Sequence, residues 1–174
     1  RTGLPLLAAH CLLHRAPSDD IDAWLSPATT QLHDPYAMAG MTRAVARIRQ
    51  AVSKGESVRI VTDYDVDGTT SSLILQGLFR LLGAGEHLSY HIPDRFEEGY
   101  GFSETAAQRA IDDKVALLIT ADIGVRDNAA VTRAKKGGVD VIICDHHLPD
   151  GQAVPKDALV VLCPPQSGCS YPNP

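Results

Sequence analysis

From residue 57 onward, short β-branched apolar runs alternate with helical segments, and few folds accommodate that rhythm. SVRIVTD reads as a strand and GTTSSLILQGLFRLLG as a helix. HLSYHIP is again strand-like, SETAAQRAIDDK helical with Ser103 as its cap, and VALLITAD a buried strand. DNAAVTRAKKGG follows as a helix capped by Asp127, and VDVIICD and ALVVLC close the pattern as strands. Strands this apolar, separated by helices, imply an α/β domain with a parallel sheet covered by helices on both faces. Residues 1–54 read as a helical lead-in, with helices over Leu4–His14 and Met41–Lys54, the second stopped by Gly55. The expected organisation is therefore a lead-in over 1–54 and one domain over 55–174.

In an open parallel sheet, ligands bind beyond the carboxyl ends of the strands. Here those ends carry chemistry. Asp63-Tyr64-Asp65-Val66-Asp67-Gly68 follows the first strand, Asp122-Ile123-Gly124 the third, and Asp145-His146-His147 the fourth. A single aspartate after a strand is ordinarily a helix cap. Several crowded together are harder to explain, because two carboxylates ~4 Å apart repel by roughly 4 kcal/mol at an effective dielectric near 20. Such a site must hold protons or cations. An Asp-x-Asp pair on an extended segment aims both side chains to one side. Adding imidazole to the donor set turns the metal choice from calcium toward manganese, with magnesium and zinc as competitors. Gly68 and Gly124 stand where each loop must turn with little room for a side chain.

Composition bounds the alternatives. Hydrophobic residues make up 44% and charged residues 21% of the 174, too apolar for disorder. The longest apolar runs, such as Val115–Thr120, fall far short of a bilayer span. No small-residue cleavage pattern follows RTGLPLLAAHCLLHR, so no export signal is expected, and the expected address is the cytoplasm with all four cysteines free. Cys163 and Cys169 fit no zinc spacing, and Cys144 reads as core. The net charge of −5 speaks against a nucleic-acid binder until one sees that many acids cluster where cations would sit. Arg43, Arg47, Arg49 and Lys54 read as a solvated helix face, with a phosphate-tracking role as the alternative.

In this order and on this strand pattern, Asp63–Gly68, Asp122-x-Gly124 and Asp145-His146-His147 resemble motifs I, II and III of the DHH phosphoesterase superfamily. HIPDRFEEGYGFS at 91–103, the HDPYAMAGM lead-in and DHHLPDGQAVPKDALVVLCP resemble its single-strand-DNA exonuclease branch. The resemblance implies a Rossmann-like DHH domain and two divalent cations, manganese first and magnesium second. It implies Asp65, Asp67, Asp122 and His146 as metal ligands, with Asp122 between the two ions. His147 would contact the scissile phosphate, while Asp63 and Asp145 would orient ligands, with a direct metal role for either as the alternative. Arg95 is the expected phosphate contact, with a surface pair to Glu97 or Glu98 as the alternative; Tyr100 or Phe102 would offer a stacking face to a base, or else anchor the loop by packing. Val61 stands where other branches carry a histidine, which leaves the first metal fewer ligands.

The implied activity is 5′-to-3′ removal of nucleotides from single-stranded DNA in repair and recombination, with a single-strand-binding protein or a helicase as candidate partners and no membrane. The rival readings are a DHH phosphoesterase for dinucleotides, oligoribonucleotides or pyrophosphate, and a non-catalytic scaffold. A fourth motif and a second lobe are expected beyond residue 174, since Asp150 and Asp157 sit too close to motif III in loop-like sequence. Residues 1–174 alone are expected to hold metal weakly and to hydrolyse little.

Overall fold

Three strands form where the apolar runs are longest: β1 (Val58–Thr62), β3 (Leu117–Ala121) and β4 (Asp140–Cys144). All five residues of β3 are buried, so the strand needs no polar face. With β2 (Leu88–His91) and β5 (Val160–Leu162) they make one five-stranded sheet in the order β2-β1-β3-β4-β5. Every pairing is parallel, and Ile60, Ile119 and Ile142 stand side by side across the three central strands. The architecture is the expected α/β one. In the computed structural model described here, residues 3–15, 21, 25, 26 and 28–172 are described.

The helices are α1 (Leu6–Arg15), α2 (Met41–Lys54), α3 (Val66–Leu81), α4 (Glu104–Asp112) and α5 (Asn128–Lys136). The last four cover both faces of the sheet, as parallel pairing requires. Ala106, Ala107 and Ala110 of α4 and Val131 and Ala134 of α5 pack with Val61, Leu118 and Ile143 on one face. Ala44 and Ala51 of α2 and Phe79 of α3 pack with Val58, Leu117, Ile119 and Ile142 on the other. Each large aliphatic side chain buried this way contributes about 1.5–3 kcal/mol before chain entropy is counted. The chain divides into two compact units, Arg1–Asp34 with α1 and Pro35–Pro174 with the sheet, so α2 shares a core with the strands. Among the described residues no helix is long and apolar enough to cross a membrane.

The order of strands decides where a ligand fits. From β1 the chain steps outward to β2, then returns past β1 to β3 and continues the other way. The loops leaving β1 and β3 therefore diverge, opening a crevice at their carboxyl ends. Asp63 and Asp122 are the first residues beyond those two strands.

Two local features differ from the sequence reading. Helix α3 starts at Val66, two residues earlier than its apolar pattern suggests, because the Asp65 carboxylate accepts the Gly68 N–H at 3.0 Å and caps it. Val66 and Asp67 are thus helical, and the Asp-x-Asp pair does not lie on an extended segment. The same helix buries Gly68, Ser72, Gln76 and Phe79 while Leu73, Ile74, Leu78 and Leu81 face outward. Close approach of its backbone to the sheet, rather than apolar content, selects the buried stripe.

Arg47 also departs from the solvated-face reading. It forms 2.7 Å ion pairs with Glu56 and Asp140, its side chain only 11% exposed, and ties α2 to the start of β4. Arg47→Ala would leave Asp140 without its cation and Glu56 with only the exposed Lys54, 3.9 Å away. The expected loss in a urea melt is about 2 kcal/mol, below the 3–5 kcal/mol of fully buried pairs because Asp140 keeps 32% of its side chain in water. A melt unchanged from wild type would show that the pairs contribute no net stability.

Candidate metal centre

The acids at the strand ends converge. Asp63, Asp65 and Asp122 each bring a carboxylate oxygen within 4.8 Å of the others, and Asp122, His146 and His147 form a second group on the same criterion. Asp122 belongs to both. It is also one of two described non-glycine residues in the left-handed backbone region, with φ 65. That conformation is costly for a side-chain-bearing residue and persists only where the surroundings impose it. Its N–H donates to the Cys144 carbonyl at 2.9 Å, which ties motif II to the end of β4.

Two glycines make the convergence sterically possible. A Cβ on Gly68 would stand 2.6 Å from the Asp63 carbonyl carbon and 2.7 Å from its Cα. One on Gly124, where φ is +116, would meet Thr120 Oγ1 at 2.6 Å. Larger residues would push α3 off motif I and motif II off its own strand.

Crowding sets the electrostatics. Burial, then the charge of Asp65 and the hydrogen bond the two share, raises the Asp122 carboxyl above the ordinary range, while His146 opposes the shift. The Gly68 N–H holds the Asp65 carboxyl below its ordinary value. His146 Nε2 lies 3.0 Å from Asp122 Oδ1. The groove beside them, about 480 Å³, is lined by Asp67, Asp122, Asp145 and His146, with Met38, Met41 and Leu162 among its apolar walls and no Lys or Arg. Converging carboxylates and an imidazole with no basic side chain in the lining are a donor set that fits divalent cations. A larger hollow between α4 and α5 contains none of the motif residues.

Motif III is organised by Asp145. Its Oδ1 accepts the backbone N–H groups of His146 and His147 at 2.8 and 3.0 Å and faces His147 Nδ1 at 2.7 Å. Its Oδ2 accepts the Val125 N–H at 3.0 Å. Both oxygens are occupied in holding motifs II and III together. With Nδ1 turned to Asp145, the Nε2 of His147 meets the Tyr100 hydroxyl at 3.3 Å. Burial, then the charges of Asp145, Asp63 and Asp122, pushes that phenol up to about 12.

The remaining expected residues fall out as follows. Asp67 lines the groove from the first turn of α3 but belongs to neither close donor group. Arg95 lies over the Tyr64 ring, 4.7 Å from its centroid, while Glu98 pairs with His91 and Arg109. Phe102 is 2% exposed and packs into the core, so it anchors the loop and offers no stacking face. Asp150 lies 3.5 Å from Arg126, and Asp157 accepts the Thr132 hydroxyl at 2.6 Å. All four cysteines are free. Sequence reasoning missed the work of Asp127, whose side chain does not cap α5. It accepts the Phe102 N–H at 2.7 Å, fixing the end of the loop that carries Tyr100. A cap-forming residue directly after motif II carried no signal for that longer reach.

Residues 57–171 match the DHH family, N-terminal domain. The chain belongs to the DHH family. Among curated DHH relatives, the single-stranded-DNA-specific exonuclease RecJ of Bacillus subtilis (strain 168) is 41% identical over 140 residues, covering 80% of this chain and 17% of the relative. The protein of the same description from Escherichia coli (strain K12) is 34% identical over 136 residues, 78% of this chain and 23% of its own length. A crystal structure of exonuclease RecJ bound to manganese superposes with a TM-score of 0.69 at 31% identity, covering 79% of this chain and 34% of that one. RecJ from Thermus thermophilus in complex with Mn2+ gives 0.62 at 27% identity, over 76% of this chain and 18% of that one. The chain thus spans about a fifth of the length of these curated relatives.

Proposed function

We propose that this DHH chain carries the cation centre of a single-strand-specific exodeoxyribonuclease that removes nucleotides 5′ to 3′ in DNA repair and recombination. The observation that carries the reading is the sharing of Asp122 between two donor groups. One carboxylate common to two sets is what a pair of cations bridged by a single residue needs. The RecJ relatives, and the manganese in their solved structures, support the same reading.

In this reading Asp63, Asp65 and Asp122 would hold one cation, and Asp122 and His146 the other, with Asp67 as its further ligand. Manganese suits the mixture of carboxylate and imidazole best, with magnesium as its substitute. When bound, such cations supply positive charge against the phosphodiester and acidity toward the attacking water. Asp145 keeps the His147 ring oriented, so that Nε2 can donate to an oxygen of the scissile phosphate when the ring carries both protons. Tyr100, whose hydroxyl meets the same Nε2, yields that position to the phosphate and binds substrate beside the ring. Arg95, held on Tyr64, presents a guanidinium fork to a second phosphate. The domain carrying this work is read as residues 55–174, led in by 1–54, with α2 of the lead-in packed onto its sheet. Its compartment is the cytoplasm, and its protein partners are a single-strand-binding protein or a helicase.

The test compares substrates and removes the metal. With Mn2+, the full-length protein is expected to degrade a long single strand from its 5′ end, leave a blunt duplex largely intact, and lose activity in EDTA. Equal rates on duplex and single strand, or undiminished rates in EDTA, would overturn the reading. Faster turnover of dinucleotides than of long strands would favour a small-substrate phosphoesterase instead.

A further inference from the structure

One loop spans the site and carries a bare aromatic ring. At one end Arg95 sits over Tyr64 of motif I, 4.7 Å from the ring centroid. At the other the Tyr100 hydroxyl is 3.3 Å from Nε2 of His147 in motif III. Between these anchors the backbone is pinned. Asp94 Oδ1 accepts the N–H groups of Phe96 and Glu97 at 2.8 and 3.1 Å, and the Asp94 carbonyl accepts the Glu98 N–H at 2.8 Å. The Glu98 carboxylate is held in turn by His91 at 2.9 Å, Arg109 at 3.2 Å and the Asp94 N–H at 3.3 Å. Beyond Tyr100, Asp127 fixes the Phe102 N–H. Yet at the apex of this turn the Phe96 ring is 94% exposed.

A single exposed apolar residue is ordinary on a protein surface. This one differs in its setting: the turn beneath it is fixed at both ends and in the middle, and both ends rest on the motifs that gather the cation ligands. A flat ring with no hydrogen-bonding group, displayed on a braced turn between residues that reach motifs I and III, loses little conformational freedom when another flat surface stacks on it. We propose that Phe96 is a base-stacking residue that takes a nucleobase of the single strand being cleaved. The assignment rests on the exonuclease reading above. Stacking on a plain phenyl ring tolerates any base, since every base has a π-face. It also discriminates against duplex, whose bases already stack on one another.

The experiment uses the full-length protein, wild type and with Phe96→Ala or Phe96→Trp, in Mn2+. Each is given two single-stranded oligomers of equal length, one carrying bases and one built from abasic tetrahydrofuran nucleotides. Phe96→Ala is expected to raise KM on the base-bearing strand about tenfold with little change in kcat, and Phe96→Trp to keep KM near wild type. On the abasic strand the Ala-to-wild-type KM ratio is expected to fall to near one. The fluorescence added by Phe96→Trp is expected to be quenched by the base-bearing strand and not by the abasic one. Equal KM for Phe96→Ala and wild type on bases, or an equal rise on both strands, would overturn the stacking role. A wild-type protein that cleaves neither strand would overturn the exonuclease reading itself, and this inference with it.

Discussion

Asp122→Ala is expected to abolish hydrolysis, with a loss of more than about 1,000-fold in kcat, because one change strips a negative ligand from both donor groups at once. An orienting residue should cost less. Asp145 holds the loops of motifs II and III through four hydrogen bonds and belongs to neither close donor group, so Asp145→Asn is expected to cost on the order of 10- to 100-fold. Loss of fold can be separated from loss of chemistry. Burial and the Asp65 charge make the ionised Asp122 carboxylate unfavourable when no cation is present. The isosteric Asp122→Asn is therefore expected to melt no lower than wild type in EDTA, and to gain less than wild type when Mn2+ is added. Comparable kcat for Asp122→Ala and Asp145→Asn would remove the basis for a shared ligand.

Gly68→Ala is expected to be nearly as damaging, although it removes no chemical group. The added methyl would lie 2.6–2.7 Å from backbone atoms of Asp63, and backbone cannot swing aside as a flexible side chain can. Helix α3 must then draw back from Asp63, taking the Asp65 cap with it and separating Asp65 from Asp63 and Asp122. The expected cost is about 2–4 kcal/mol of stability together with at least about a 100-fold loss of activity. Gly77 supplies the comparison within the same helix. Nothing lies within 4 Å of a Cβ built there, so Gly77→Ala is expected to raise stability by about 0.5–1 kcal/mol through helix propensity. Urea melts of the two variants would check this. If Gly68→Ala unfolds at the same midpoint as Gly77→Ala, close packing of α3 on Asp63 does not hold the site together.

The contrast between these glycines bears on how much of the site a reader of the sequence can see. Asp63, Asp122 and Asp145 were legible as strand-end residues because β1, β3 and β4 are largely buried on both faces and leave apolar, β-branched runs just before each acid. A run that ends in an acid marks the edge of the sheet whatever the strand order. The order itself was not legible, since β1 pairs with both β2 and β3 through contacts between segments far apart in the chain. The start of α3 was missed for a related reason. Apolar periodicity points to the segment after Gly68, whereas the helix begins where Asp65 caps it and buries its small and polar stripe. Arg47 and Asp127 look like ordinary surface and capping residues in sequence, and both turn out to reach across to other segments. Phe102 and Phe96, six residues apart in one loop, have opposite fates, one buried and one bare, because Asp127 draws the end of the loop inward.

The central claim is that Asp122 is shared by two cations. Anomalous diffraction at the manganese edge, from crystals of the protein grown or soaked with Mn2+, tests it without any assay of activity. Two peaks are expected, one among Asp63, Asp65 and Asp122 and one against Asp122 and His146, with a carboxylate oxygen of Asp122 in contact with each. A single peak, or a pair in which only one touches Asp122, would contradict the account.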